Sequence, residues 1–298
     1  MRNFNSNIRK YFTAAAMICC MVQVSGQGDS SLLGNEPEIV EKVQNAFKTT
    51  KVINLQSTEV TDAGVLDFKI NHRFGALNTG ANNAFGLDQA FIRIGFEYGA
   101  IPNLMLGIGR TSVDKTLDGY FKYRIMHQTS DNKKPFSLLL FGDVNSRRIK
   151  FPFLVSQSQR LAYCAQLILG RKFSESFSLE LAPSYVHYNL APFGVSNDQY
   201  ALGIGLRQKI TNRLSVNLEY IPLLGANGVY KNSLSLGCDI ETGGHVFQLH
   251  LTNSNGMVEP QFIGRNDNTW QSGSIRFGFN ISRVFTLVDP SRFPNNSY

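Results

Sequence analysis

The most constraining feature of this sequence is an alternation of apolar and polar residues that repeats along almost the whole chain. In the segment at 65–74, Leu66, Phe68 and Ile70 share one side of an extended strand, and the intervening positions are polar. Successive side chains of a strand point to opposite faces, so such a segment has one apolar and one polar face. About thirteen segments follow this pattern. They span 51–60, 65–74, 90–98, 104–112, 117–126, 135–147, 160–171, 177–188, 200–210, 214–223, 232–241, 245–253 and 270–285.

The length of these segments separates a membrane protein from a soluble one. Strands of soluble sandwiches commonly have about five or six residues, whereas a tilted strand needs about 9–11 residues to cross a membrane. The sequence therefore predicts an all-β fold, a single antiparallel up-and-down transmembrane β-barrel of about 12–14 strands with a short N-terminal helix. A periplasmic β-sandwich or a β-helix is the alternative, although no fixed short repeat supports a β-helix.

The last segment shows the two faces clearly and has the pattern of a closing strand. Ile275, Phe277, Phe279 and Ile281 fall on one side of it, and the residues between them are polar or glycine. We expect the apolar side to face lipid, because barrels of this kind carry an apolar band on the outside. Outer-membrane lipid and the barrel-assembly machinery are therefore the expected partners.

The N-terminus has the organisation of a targeting segment. Basic residues precede an apolar stretch at 11–24 that is too short to cross a membrane, and small residues then offer a cleavage site. Residues 1–26 are predicted to be a secretory signal peptide, which directs the mature chain to the outer membrane. The adjacent Cys19 and Cys20 leave a lipoprotein signal as the alternative.

Composition and charge narrow the functional classes further. Charged residues make up 17% of the chain, below the roughly 25% of soluble domains. Removal of residues 1–26 takes away three basic residues and no acid, so the net charge falls from +7 to +7 − 3 = +4. This mild excess, without a basic run, argues against a nucleic-acid partner. No apolar stretch after residue 26 is long enough for a membrane helix.

A helical pattern precedes the strands, where Ile39, Val43 and Phe47 recur every four residues within 36–50. We predict a helix there, which is a candidate plug for the barrel interior. The resulting organisation is a signal peptide (1–26), an N-terminal segment with the short helix (27–50), the β-barrel domain (51–287) and a C-terminal tail (288–298).

The connections alternate in length, as they do in outer-membrane barrels. Short ones lie at 61–64, 100–103, 173–176, 211–213 and 242–244, and long ones at 75–88, 142–159, 189–199 and 254–269. If the long connections are extracellular, a strand at 51–60 would start on the wrong side of the membrane. Three explanations stay open: another strand lies within 36–50, the helix there threads the lumen, or the long connections are periplasmic.

Within the last long connection, residues 257–264 are predicted to form a short amphipathic helix, with Phe262 and Ile263 packing inward.

The polar faces of the strands supply the candidate site residues, which carry both signs of charge with a slight basic excess. The predicted lumen-lining residues are Asp67, Lys69, Arg73, Arg93, Glu97, Lys122, Arg124, Glu180, Arg207, Lys209, Glu219, Asp239, Glu241, His250 and Arg276. They fit either an ion-paired interior that fills the barrel or a polar pore lining with a weak anion preference. A barrel of this size favours a plugged or constricted lumen.

The sequence carries no recognised catalytic, metal or haem motif. It contains neither a His-Glu-x-x-His nor a Gly-x-Ser-x-Gly pattern, and no Cys-x-x-Cys-His. His245 and His250 lie five residues apart on one strand and therefore face opposite sides, with His250 toward the lumen. We predict no cofactor, no metal and no enzymatic activity.

Several stretches resemble a β-barrel family of Bacteroidota that carries a domain-of-unknown-function label. They are INHRFGALNTG (70–80), FGLDQAFIRIGFEYG (85–99), LGIGRTSVDKTLDGYFKYR (106–124), RKFSESFSLELAPSYVHYN (171–189), GGHVFQLHLTNS (243–254) and GFNISRVF (278–285). The resemblance covers about 45–287 and implies the barrel fold and an outer-membrane location without an activity. It also suggests a periplasmic c-type cytochrome as a partner. The sequence thus favours a small-solute pore or an envelope scaffold beside a redox partner. A non-conducting binding or assembly barrel, or an outer-membrane enzyme, is the alternative.

Overall fold

The computed structural model describes residues 40–225, 228–243 and 245–293, which form an antiparallel β-barrel. The strands are β1 (Val65–Ala76), β2 (Ala90–Ile101), β3 (Leu104–Thr111), β4 (Leu117–Met126), β5 (Ser137–Ser146), β6 (Leu161–Lys172), β7 (Phe177–Tyr188), β8 (Asp198–Lys209), β9 (Leu214–Ile221), β10 (Leu223–Leu224), β11 (Ser233–Thr242), β12 (His245–Thr252) and β13 (Arg276–Thr286). The chain divides into the units 1–40 and 41–298. The predicted signal peptide and its lipoprotein alternative lie outside the described residues.

The long strands pair in chain order, and the sheet closes on itself. β1 pairs with both β2 and β13, and β8 pairs with β9. β10 has only two residues, which pair with β8 beside the end of β9. Twelve long strands therefore make up the wall. The predicted all-β, up-and-down barrel of 12–14 strands is confirmed.

The pleat separates the two faces of the wall as the alternation predicts. Across the closing pair, Ile70 lies opposite Ile281 on the outward face, and Asn71 lies opposite Asn280 on the lumen face. The outward face exposes large apolar side chains, among them Ile92, Ile94, Phe96, Leu106, Ile108, Phe121, Leu140, Leu167, Leu218, Leu236 and Leu249. An apolar surface of this extent requires a nonpolar environment, which lipid provides.

The longest connections lie at one end of the barrel and the shortest turns at the other. The end that carries the turns at 102–103, 173–176 and 210–213 is named here the turn rim, and the end that carries the connections at 147–160 and 253–275 is the loop rim. Because β1 runs from the turn rim to the loop rim and β13 runs back, both ends of the barrel domain lie at the turn rim.

Two predictions at the N-terminal side are wrong. Residues 51–60 are not a wall strand, because β1 already pairs on both sides and the closed sheet leaves no edge for them. Residues 40–50, the described part of the predicted helix, are not helical. The Val43 N–H donates to the Gln128 carbonyl (2.9 Å), and Asn45 has a positive φ of 56° that interrupts a helix. Without residues 51–60, the wall has an even number of strands. The first wall strand, β1, starts at the turn rim, so extracellular long connections no longer conflict with a periplasmic start of the barrel.

The last long connection contains the short helix α1 (Glu259–Phe262), which confirms the prediction for 257–264. Phe262 and Ile263 are fully buried. Other helical turns are 3₁₀ turns at Leu77–Thr79, Ala81–Gly86, Val113–Lys115, Ser158–Arg160 and Pro290–Arg292. Among the described residues, no helix has the length and apolar character needed to cross a membrane.

Gly99 allows the chain to leave the lumen close to the wall. A Cβ at Gly99 would overlap the Asp62 carbonyl, and the Gly64 N–H donates to the Gly99 carbonyl (2.8 Å). We expect Gly99→Ala to lower the free energy of unfolding by about 1–3 kcal/mol, because the clashing atoms belong to backbone. Urea unfolding followed by heat-modifiable gel migration measures this loss. Gly119→Ala is the matched control, since a Cβ there comes no closer than 4.0 Å to its neighbours. Equal midpoints for both variants would contradict the prediction.

Candidate functional site

The lumen of the barrel is filled, and most of the predicted lumen-lining residues are buried there. The buried ones are Asp67, Lys69, Arg73, Arg93, Glu97, Lys122, Glu180, Arg207, Glu219, Asp239, His250 and Arg276. Arg124, Lys209 and Glu241 lie nearer the turn rim and are partly exposed. The structure therefore brings the central members of the set together around a common filling rather than around open space.

The filling comes from residues 46–61, which are largely buried. At its centre the chain folds into a narrow hairpin, here named the plug hairpin (residues 50–57). The Val52 N–H donates to the Leu55 carbonyl (2.8 Å), and the Ser57 N–H donates to the Thr50 carbonyl (2.9 Å). The plug predicted within 27–50 as a helix is thus placed further along the chain and is built as a hairpin.

Glu219 of β9 holds the tip of the plug hairpin. One carboxylate oxygen, Oε2, accepts the backbone N–H groups of Ile53 (3.2 Å), Asn54 (2.8 Å) and Leu55 (2.7 Å). The other oxygen accepts the Asn54 side-chain amide (3.1 Å). Backbone donors in a tight turn have no partners within the turn itself, so a buried carboxylate that gathers three of them is a strong local anchor.

Lys122 of β4 anchors both sides of the plug hairpin, and the chain just after it, by donating hydrogen bonds to backbone carbonyls. Its ammonium group donates to the carbonyls of Thr50 (2.7 Å), Ser57 (3.1 Å) and Glu59 (3.0 Å). An ammonium group has three donors and no acceptor, so these contacts use all of them. The negative Glu219 therefore accepts the N–H groups of the hairpin tip, and the positive Lys122 donates to the carbonyls on both sides of it.

Other wall residues complete the anchoring of the hairpin. Asn280 and Gln248 donate side-chain amides to the Ile53 (3.0 Å) and Val52 (2.5 Å) carbonyls. Arg73 donates to the Asn54 side-chain oxygen (2.9 Å). The amides at Asn280 and Gln248 were not among the predicted lumen residues. Their position on the polar faces of β13 and β12 was the signal that could have found them.

An ion-paired network connects the hairpin to β1 and β2. Glu97 accepts hydrogen bonds from the hydroxyls of Thr50 (2.5 Å) and Tyr120 (2.6 Å) and forms an ion pair with Lys69 (2.9 Å). Lys69 also lies 3.5 Å from Asp67. Each buried charge here has an opposite charge beside it, which offsets the cost of removing it from water.

Three of the other predicted residues act at other points of the lumen. Arg93 of β2 pairs with Asp118 of β4 rather than with the hairpin tip. Arg207 donates to the carbonyls of Asn45 (2.9 Å) and Ala46 (3.0 Å), where the chain enters the lumen. Glu241 pairs with Lys48 at the turn rim.

A second part of the chain fills the lumen from the loop rim. Residues 253–263 fold inward with α1, and Tyr188 donates its hydroxyl to the Pro260 carbonyl. Glu259 accepts the side-chain amide of Gln56 (2.8 Å) and lies 3.6 Å from the Lys51 ammonium group. Burial lowers the pKa of Lys51 from its ordinary value, and the charge of Glu259 opposes that effect. The two fillings meet at this contact, which sequence alternation could not indicate.

A small cavity lies beside the plug hairpin. A cavity of about 20 Å³ lies between the hairpin base and the wall, lined by Thr49, Lys51, Lys69, Asn71 and Gln248 among others. This volume holds about one water molecule. In the described part of the chain, no three His, Cys, Asp or Glu side chains are grouped as metal ligands.

An apolar outer wall, a charged inner wall and a lumen filled by the chain itself define a plugged membrane-bound β-barrel. The chain belongs to the family described as "Membrane bound beta barrel domain (DUF5777)", whose model matches residues 47–285. The resemblance to a barrel family of unknown function is thereby confirmed. None of the curated proteins matches the chain.

Solved structures that are similar to the barrel include two porins and an outer-membrane phospholipase. The KdgM porin shares 11% identity at a TM-score of 0.46, with 74% of this chain and 99% of that chain covered. The NanC porin shares 8% identity at a TM-score of 0.48, with coverage of 75% and 100%. Outer membrane phospholipase A from Escherichia coli shares 13% identity at a TM-score of 0.43, with coverage of 80% and 97%. These similarities are too distant to assign an activity.

Proposed function

We propose that this chain is an outer-membrane barrel that forms a passage for small polar solutes and is closed by its own plug hairpin together with the inward-folded residues 253–263. One observation carries the proposal: the hairpin fills a charged lumen but contributes no strand pair to the wall. Movement of the hairpin would therefore leave the hydrogen-bonded sheet intact. A lumen wall with charges of both signs would then line a water-filled path.

A permanently closed scaffold is the second candidate, and the density of anchoring contacts favours it. Glu219 and Lys122 together fix six backbone groups of the chain between Thr50 and Glu59. A periplasmic c-type cytochrome as a partner rests on the family resemblance alone and stays a prediction. The absence of enzymatic activity also stays a prediction.

A disulfide between the hairpin and the wall distinguishes the two candidates. A Cβ built on Gly205 lies 2.9 Å from Cγ2 of Val52, so the two positions are in direct contact, and the flexible Glu180 side chain, 2.8 Å from the same Cβ, has to move aside for a bridge. We expect Val52→Cys/Gly205→Cys, in a background with Cys164 and Cys238 changed to serine, to form a reversible lock. In planar bilayers, moderate urea should raise the conductance of the reduced protein and leave the oxidised protein closed.

The reduced and oxidised forms of one variant are the matched control for this measurement. Heat-modifiable migration confirms that the barrel is intact at each urea concentration. Equal conductance of the two forms would show that the hairpin is not the barrier. No conductance from either form, up to the concentration at which the barrel unfolds, would favour the closed scaffold.

A further inference from the structure

The outer wall carries a groove near the loop rim that the proposed passage does not use. The groove has a volume of about 580 Å³ and lies along β2 and β3. Its apolar lining includes Ile92, Ile94, Phe96, Ile108 and Leu117. Ile108 is 63% exposed in the isolated chain. On a lipid-facing wall, a groove lined in this way accommodates an acyl chain.

Two cationic side chains stand at the loop-rim end of the groove. Arg110 continues the outward face of β3, and Lys115 lies in the turn that follows it. Neither side chain takes part in a hydrogen bond or ion pair with the part of the chain that the structure describes. Cations at the polar end of an apolar groove are complementary to an amphiphile with an anionic headgroup.

The neighbouring acids do not neutralise these two cations. Asp118 turns into the lumen and pairs with Arg93. Asp114 accepts a hydrogen bond from Arg147 Nε (2.8 Å), and its carbonyl accepts one from the Arg148 N–H (3.2 Å). These contacts bring the connection at 147–160, which carries four basic residues and no acid, against the turn that bears Lys115. Asp88, exposed just before β2 at the same rim, forms no ion pair with the described residues, and the basic residues around the groove mouth outnumber the acids.

We infer that this groove binds an anionic phospholipid, one whose headgroup carries a net negative charge. The acyl chain lies on Ile94, Phe96 and Ile108, and the phosphate lies between Arg110 and Lys115. Ordinary annular lipid would require only the apolar wall, whereas this site adds charge and places it at one end. The inference is independent of whether the lumen conducts.

Native mass spectrometry of the full-length protein in neutral detergent tests the site with two probes. Dioleoylphosphatidylglycerol carries a net negative headgroup, and dioleoylphosphatidylcholine carries the same chains with a zwitterionic one. We expect one phosphatidylglycerol to be retained in preference to phosphatidylcholine. Arg110→Gln/Lys115→Gln should weaken that retention about thirtyfold, since each cation near a membrane surface contributes roughly 1 kcal/mol. Lys134→Gln/Arg213→Gln removes the same charge from exposed residues at the turn rim and should have no effect.

Three results would overturn the inference. Equal retention of both lipids by the wild type would show ordinary annular binding. Equal losses in the loop-rim and turn-rim variants would show a general charge effect. Displacement of phosphatidylglycerol by millimolar inorganic phosphate as readily as by added phosphatidylglycerol would identify a simple phosphate site. Heat-modifiable migration of each variant verifies that the barrel is folded before the comparison is made.

Discussion

Glu219→Ala is expected to release the plug hairpin while leaving the barrel folded. The substitution removes the acceptor of three backbone N–H groups and of the Asn54 amide. Buried donors left without a partner cost about 1–3 kcal/mol each, so the docked hairpin should lose at least about 3 kcal/mol. Trypsin provides the measurement, because Lys51 is only 5% exposed in the docked hairpin. Cleavage after Lys51 should become rapid in the variant, and bilayer conductance should rise.

Glu241→Ala is the matched control for this experiment. Glu241 is also a lumen-side glutamate that pairs with the N-terminal chain through Lys48, but its side chain is 42% exposed. Ion pairs at that exposure contribute about 0–1 kcal/mol, so cleavage after Lys51 should stay slow. Unchanged protection of Lys51 in Glu219→Ala would mean that the tip contacts do not hold the hairpin in the lumen.

The wall of the barrel could be predicted from the sequence because the residues of each strand themselves show which of its faces is apolar and which is polar. In β1 and β13, lipid and lumen lie on opposite faces, so the period-two pattern gives the strand, its length and the direction of each side chain. The same pattern placed Glu219 and Lys122 on the lumen side. It could not reveal what they bind, since their partners are backbone groups of a segment distant in sequence.

The plug hairpin was mistaken for a wall strand because its composition is that of a strand. Val52, Ile53 and Leu55 are apolar and favour extended backbone, and the residues beside them are polar. Both faces of this segment are buried, however, and its hydrogen bonds go to itself and to wall side chains. Only the closure of β1 on β13 excludes it from the sheet, and closure is a property of the whole fold.

The helix expected over 36–50 is absent from its described part, residues 40–50, for a related reason. The spacing of Val43 and Phe47 suits a helix, but the Val43 N–H pairs with the Gln128 carbonyl (2.9 Å). The Phe47 N–H donates to the Glu59 carboxylate (3.2 Å). Tertiary contacts therefore override a weak local preference. The lumen filling as a whole depends on such contacts, which explains why the site was less predictable than the wall that surrounds it.

Lys122→Met should destabilise the barrel and its filling together, in contrast to Glu219→Ala. Methionine fills a similar volume without donors, so the carbonyls of Thr50, Ser57 and Glu59 lose their shared partner. Glu97 and Glu180 also lose a buried positive charge that interacts with them. Removal of one partner from a buried charge arrangement costs about 3–5 kcal/mol. We expect faster cleavage after Lys51 and a lower urea midpoint for the heat-modifiable barrel.

The control and a double-mutant cycle separate the two contributions of Lys122. Lys209→Met removes another lumen-side lysine, near the turn rim, and should leave both measurements close to wild type. Glu180→Gln combined with Lys122→Met should recover part of the urea midpoint, because Lys122 is the cation that acts on Glu180 and the neutral side chain no longer needs it. Cleavage after Lys51 should stay fast in the double variant, since the three carbonyls still have no donor. A midpoint that falls by the sum of the two single losses would contradict electrostatic coupling between Glu180 and Lys122. The role of the lysine would then be confined to the backbone of the hairpin.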